Sequence, residues 1–375
     1  MSRNRKQTLT ILAVVLVMVG QSWSAQKQYK SLEIGQKAPD FNLPGVDGRN
    51  YKLADFADAD VLVIIFHCNH CPTAQAYEER IKKLASDYKK PSVALVAISP
   101  NDPKAVRLDE LGYSDMGDSF EDMKIRAKDM RYNFPYLYDG EDQKVSLAYG
   151  PARTPHVYIF DRQRTLRYMG RVDDAEKPHL VKIEDARNAI EALLKGRKVS
   201  VEETPTIGCS IKWADKRESA RQSLELWARE KVTVEMADTK SIKELIKNDS
   251  GKLRLVNIWA SWSGPSVKQL QEYVTINRMY RNRDLELITI SADSPKRRNI
   301  VLSSLKKQQV SCKNLLFDSE DEYELMAAVD KDLLGGIPYT ILIQPDGKVI
   351  YRKVGMIDPL EVKKAIVGYV GRYYK

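Results

Sequence analysis

The chain has few of the residues that bind metals or carry electrons: four cysteines and four histidines in 375 residues. The cysteines, Cys68, Cys71, Cys209 and Cys312, are too few and too dispersed to staple a disulfide scaffold, and they read as one working pair plus two others. There is no second closely spaced pair to complete a structural zinc site. Pro72 rather than histidine follows Cys71, so the pair is not a haem-attachment signature. No block of like charge exists either. The 60 basic residues exceed the 51 acidic ones, but the excess is scattered through the second half, where 29 basic face 22 acidic residues from Pro205 onward. That pattern is a solvated surface and not a nucleic-acid stripe.

One long apolar run lies near the start, from Leu9 to Val19, after Arg3, Arg5 and Lys6 and before the small residues around Ser22 to Ala25. This is the layout of a signal peptide over residues 1–24, cleaved after Ser24. An uncleaved anchor is the alternative, disfavoured because the run is shorter than the roughly 20 residues that span a bilayer. Membrane contact would then come only through the leader. Either way the body is expected to be exported, periplasmic or otherwise extracytoplasmic. The length suggests two domains.

The stretch that organises the chain is Val61 to Thr73, VLVIIFHCNHCPT. Six β-branched, aliphatic or aromatic residues, too short a run for a helix, predict a central strand covered on both faces. After Pro72, the residues Ala76, Tyr77, Ile81, Leu84 and Tyr88 recur at helical spacing among Glu78, Glu79, Lys82 and Lys83. The two cysteines therefore sit at a helix N-terminus, where free amides and the dipole stabilise a thiolate. Cys68 is expected to gain most, as the more solvent-facing attacking thiol, with Cys71 resolving. His70 adds positive charge when protonated, and His67 flanks the pair.

Further motifs carry a family resemblance. G-x-x-A-P-D-F-x-L-x-x-x-D-G from Gly35 to Gly48, followed by a strand and Cys-x-x-Cys, resembles the AhpC/TSA-type redoxins of the peroxiredoxin and thioredoxin superfamily. The resemblance implies a thioredoxin-like fold over residues 30–212, ending in the phrase Gly208-Cys209-Ser210-Ile211-Lys212-Trp213. It also implies that Thr154 and Pro155 form the loop facing the dithiol, with the proline cis and His156 opening the next strand. The sequence leaves open whether Cys209 approaches the dithiol, a small buried residue being the favoured reading.

Residues 213–231 read as a connecting helix, after which the pattern returns over residues 232–375. The strand Leu253 to Trp262, the loop Ile337-Pro338 and the hairpin after it resemble a TlpA-like thioredoxin domain whose W-C-G-P-C has become Trp262-Ser263-Gly264-Pro265-Ser266. Ser263 and Ser266 stand where the cysteines stood, so this second site is degenerate: a serine without a base offers no useful nucleophile. The fold class expected is α/β, two thioredoxin-like domains, each a central mixed sheet flanked by helices. The second domain is expected to be a redox-inert module that either docks acidic partner chains beside Pro338 and Trp262 or stabilises the first.

Three functions compete for the Cys68–Cys71 dithiol. Thiol-disulfide exchange needs an attacking thiolate, a resolving thiol and a docking loop, all of which are present. Its partners would be protein thiols or disulfides and an electron donor or acceptor, with no nucleic acid and no cofactor. Peroxide reduction is suggested by Cys71-Pro72-Thr73, but Cys68 and Ile64 replace the Thr and Pro of the peroxidatic motif. Metal binding would require His67, His70 and His156 to converge on the two thiols, a set suited to Zn or Cu(I).

Overall fold

The computed structural model describes residues 29–88, 92–331 and 336–374, so the expected leader lies outside the described residues. Among the described residues, no helix is long and apolar enough to cross a membrane.

The strand Val61–Phe66 is buried along its whole length. Its side chains alternate between two cores: Val61, Val63 and Ile65 face one, and Leu62, Ile64 and Phe66 the other. That period of two is what a pleated central strand imposes. Burial of each such side chain is worth about 1.5–3 kcal/mol. It is the middle of a five-stranded mixed sheet ordered Tyr136–Tyr138, Val93–Ser99, Val61–Phe66, His156–Phe160, Leu166–Gly170. The first three strands run parallel and the last two pair antiparallel. Helices Pro72–Asp87 and Asp185–Leu194 cover one face, placing Tyr77, Ile81, Leu84, Ala186 and Ile190 in the same core.

A second mixed sheet of six strands repeats the plan. Its order is Glu235–Ala237, Lys313–Phe317, Leu285–Ser291, Leu253–Trp259, Tyr339–Ile343, Val349–Val354. Again the central strand is flanked by a parallel neighbour and an antiparallel one. Both X-Pro bonds expected at the loop position, Thr154-Pro155 and Ile337-Pro338, are cis. The connecting segment contains the helix Arg217–Ala228, which buries Ala220 and Ser223.

The two sheets share packing. Leu111, from the polar stretch between the strands Val93–Ser99 and Tyr136–Tyr138, an insertion between core elements, is only 8% exposed and joins a core with Tyr280, Met279 and Val367 of the second half. Around it, Tyr280 donates to the Ser114 carbonyl at 2.8 Å and Arg283 to the Gly112 carbonyl at 2.6 Å.

Candidate active site: a buried dithiol with a third thiol beside it

The helix after the dithiol starts at Pro72, whose missing N–H and fixed φ suit a first helical position. Its N-cap is therefore Cys71, and the Ala74 amide donates to Cys71 Sγ at 3.4 Å. A second amide, that of Cys209, donates to the same sulfur at 3.3 Å. Cys68 lies one turn earlier, and its Sγ is 3.1 Å from Thr154 Oγ1. Both cysteines of the pair are fully buried.

This corrects two expectations. Cys68 is not the solvent-facing member, and it does not receive the helix amides, because the helix begins four residues after it, at Pro72. Burial pushes the Cys71 thiol up, but the Cys209 and Cys68 thiols beside it, the His70 charge and the Ala74 amide outweigh burial and hold it well below the usual thiol range. Cys68 goes the other way: burial, the Cys71 sulfur and the Asp118 charge push it well above that range. When protonated, Cys71 instead donates to the Thr154 carbonyl at 3.4 Å, so the pocket accommodates both forms.

His70 owes its charge to a residue absent from the sequence reading. Its Nδ1 is 2.5 Å from Asp118 Oδ2, both side chains being buried. Burial alone would lower the His70 pKa, but Asp118 raises it above the ordinary value; burial would raise Asp118, but the His70 charge and hydrogen bonds lower it. Asp118 also accepts from the amides of Asn69 and His70 and from Asn101 Nδ2, at 2.9, 3.1 and 2.7 Å. One carboxylate thus clamps the loop between the two cysteines. No linear signal marks Asp118, because it lies 48 residues from His70 in an insertion with no motif of its own.

The other two histidines do not converge on the thiols. His67 Nε2 meets Tyr132 Oη at 3.1 Å, and Tyr132 donates to Glu78, which pairs with Arg126. His156 Nδ1 accepts from the Ala152 amide at 3.2 Å and lies against Tyr158. Burial keeps both neutral, pushing His156 down to about 3. The expected set of three histidines and two thiols therefore does not assemble. Cys68, His70 and Asp118 do bring ligand atoms within 4.8 Å of one another, but His70 and Asp118 are already bonded to each other.

Cys209, read as a small buried residue, is instead half-buried and packs against Cys68, Cys71 and Ala74. The short strand Cys209–Ser210 pairs antiparallel with Arg153–Thr154, register Thr154 to Cys209, directly beside cis Pro155. Gly208 makes this approach feasible: its φ is +138°, and a Cβ there would stand 2.0 Å from the Thr154 carbonyl oxygen. The rest of the phrase is an anchor. Lys212 pairs with Glu110 at 2.5 Å, its amide donates to Asn101 Oδ1 at 2.9 Å, and Trp213 stacks on Tyr29.

In the second half the helix Gly264–Tyr280 has Ser263 as its N-cap, with the Ser266 amide donating to Ser263 Oγ at 3.4 Å. Ser263 is thus the counterpart of Cys71, and Ser266 that of Ala74. The sequence alignment of the two serines with the two cysteines is out by one helical turn. Ala260 holds the place of Cys68. Cys312 packs in the second half, where burial pushes its thiol up to about 12.

Among relatives, the thiol-disulfide oxidoreductase ResA of Geobacillus thermodenitrificans (strain NG80-2) is 24% identical over 156 residues, 40% of this chain and 78% of that protein. A solved structure of an uncharacterized conserved protein from Geobacillus kaustophilus is 41% identical over 48% of this chain and 92% of its own, with a TM-score of 0.43. A hypothetical protein from Sinorhizobium meliloti 1021 is 37% identical over 50% of this chain and 98% of its own, with a TM-score of 0.44. The AhpC/TSA family model matches residues 34–169 and 230–352, one segment for each sheet, and the chain belongs to that family.

Proposed function

We propose that the protein is an exported thiol-disulfide oxidoreductase that cycles Cys68 and Cys71 between dithiol and disulfide, Cys71 being the thiolate. The carrying observation is the asymmetry of the pair: two amides and two thiols converge on Cys71, while Cys68 keeps its proton. An exchange enzyme needs that division into nucleophile and reserve thiol. The name of the ResA relative supports the reading. Partners are protein thiols or disulfides. Peroxide reduction fits less well, since Thr73 Oγ1 is committed to Glu176 at 2.9 Å.

The two domains proposed, residues 30–212 and 232–375 joined through 213–231, divide the work unequally. The second offers serine at the helix start. Its C-terminal segment instead supports the first, through Arg372 on Asp115 and Tyr374 beside Cys209.

A stabilised thiolate favours the reduced form, so the disulfide is oxidising. The reduction potential of the pair is expected above roughly −200 mV, toward the oxidising end of known dithiols. Cys71→Ser should abolish turnover of a protein disulfide. A potential as low as thioredoxin's, about −270 mV, would reverse the direction. Retained turnover in Cys71→Ser would remove the dithiol from the function.

A further inference from the structure

We infer that Cys209 is a third redox residue, the thiol at which the partner's sulfur enters and leaves, and that it hands the exchange to Cys71. This deepens the proposed oxidoreductase reading and rests on it.

The buried pair needs an entry point. Cys68 and Cys71 have no exposed surface, so a partner's sulfur cannot reach either in this structure. Cys209 is the half-buried member of the same thiol cluster. It opens on a cavity of about 490 Å³ lined by Thr73, Arg153, Glu176, Ser210 and Tyr374. The cavity is the route from solvent to the cluster. Its walls place a cation, a carboxylate and a phenol around the accessible sulfur of the cluster. Gly208 and the register of Cys209 on Thr154 fix that sulfur beside Cys71.

At rest the charge lies on Cys71, so the relay begins with a proton transfer between the two sulfurs. The Cys71 sulfur beside it, burial and the Cys71 charge raise the Cys209 thiol, so at rest Cys209 holds the proton and Cys71 the charge. When a disulfide R–S–S–R′ enters, the Cys209 proton passes to Cys71 as its sulfur attacks. The bond Cys209–S–R forms and R′–S⁻ leaves, taking up the proton that Cys71 releases. Cys71 then attacks the Cys209 sulfur, forming Cys71–S–S–Cys209 and expelling R–S⁻. Finally Cys68 attacks Cys71, restoring the Cys209 thiolate, and the Cys68 proton passes to R–S⁻. Cys209 then recovers a proton from solvent, as Cys71 does not need one. Two electrons go from the Cys68–Cys71 dithiol to the substrate, giving RSH and R′SH. A dithiol substrate runs the same steps backwards.

The test uses the full chain. In Cys68→Ser, mild oxidation with diamide should leave a Cys71–Cys209 disulfide, identified by peptide mass mapping without reduction. In Cys209→Ser and Cys209→Ala, diamide should still close Cys68–Cys71, while turnover of insulin disulfides falls about tenfold or more, a loss of at least ~1.4 kcal/mol of transition-state stabilisation. Free, alkylatable Cys209 in oxidised Cys68→Ser, or turnover within twofold of wild type in both Cys209 variants, would overturn the relay. Failure of the underlying reading looks different: wild type would form no Cys68–Cys71 disulfide at all.

Discussion

Arg372 of the second half grips Asp115 of the first with both arms, Nη1 to Oδ1 at 2.7 Å and Nη2 to Oδ2 at 2.8 Å. The same guanidinium reaches Gln75 on the dithiol helix at 3.2 Å. The Asp115 side chain is buried, and burial alone would raise its pKa; Arg372, with Arg126 behind it, lowers it instead. Arg372→Ala leaves that charge with Arg126 alone, 3.8 Å away. The expected cost is about 1.5–3 kcal/mol, the range for losing hydrogen bonds to a charged group, since Arg126 still faces the carboxylate. Urea unfolding measures it. Release of Tyr374 from the cavity wall should also speed alkylation of Cys209.

His70→Gln tests the electrostatic control of the dithiol. It removes the cation beside Cys71 and leaves the Asp118 anion, so the Cys71 pKa should rise by about one unit and the potential fall by about 30 mV. Thiolate ultraviolet absorbance against pH reads the first, and a glutathione redox titration the second. An unchanged absorbance titration would take His70 out of the mechanism.

Stability should begin to fall with acid at the buried histidines, ahead of the depressed carboxylates Asp115 and Asp118. His67 and His156 have folded pKa values below the ordinary 6.5, so the unfolded chain binds their protons first. Their contribution is present above 6.5 and is lost as pH falls toward the folded values, at about 1.4 kcal/mol per pH unit for each histidine. His70 has the opposite sign. Its raised folded pKa gives stability that is complete below 6.5 and lost on the alkaline side, so it adds no slope in acid. Asp115 and Asp118, both depressed, contribute only as pH falls below the ordinary 3.8. Urea midpoints measured between about pH 7 and pH 5 should therefore decline, and His156→Asn should flatten that decline. A wild-type midpoint that holds steady across the range would contradict the buried neutral histidines.

Much of this was legible in the chain itself. The run Val61 to Phe66 and the period change at Pro72 fix a strand and a helix, because local burial and the N1 preference of proline act within a few residues. The Thr154-Pro155 and Ile337-Pro338 loops were legible by resemblance. The roles inside the pair were not. Which cysteine caps the helix depends on where the helix begins to within three residues, and helix ends are the least legible feature of any helix. Asp118 and Cys209 were illegible for another reason: each reaches the dithiol through tertiary packing, Asp118 across 48 residues and Cys209 across 138. The seating of Leu111 in the core of the other half is equally non-local.

The second helix start offers a final prediction, because its frame has kept the geometry of the first while losing the sulfur. Ser263 caps the helix from φ −92° and ψ 105°, close to the −69° and 121° of Cys71, and each accepts from the amide three residues on at 3.4 Å. Cis Pro338 precedes the antiparallel strand here as Pro155 does in the first half. Ser266 Oγ is buried without a hydrogen-bond partner among the described residues, so replacing oxygen by sulfur there loses no bond. Residues three apart at a helix start bring their Cβ atoms to about 5–6 Å, near enough for modest side-chain and backbone adjustment to close a disulfide. The S263C/S266C variant should therefore oxidise to an intramolecular disulfide under diamide, seen as the loss of two alkylatable thiols. S263C alone should titrate below an ordinary thiol, because the helix amides favour its anion. Two thiols that stay fully alkylatable after oxidation would mean that this helix start does not hold positions 263 and 266 within disulfide reach.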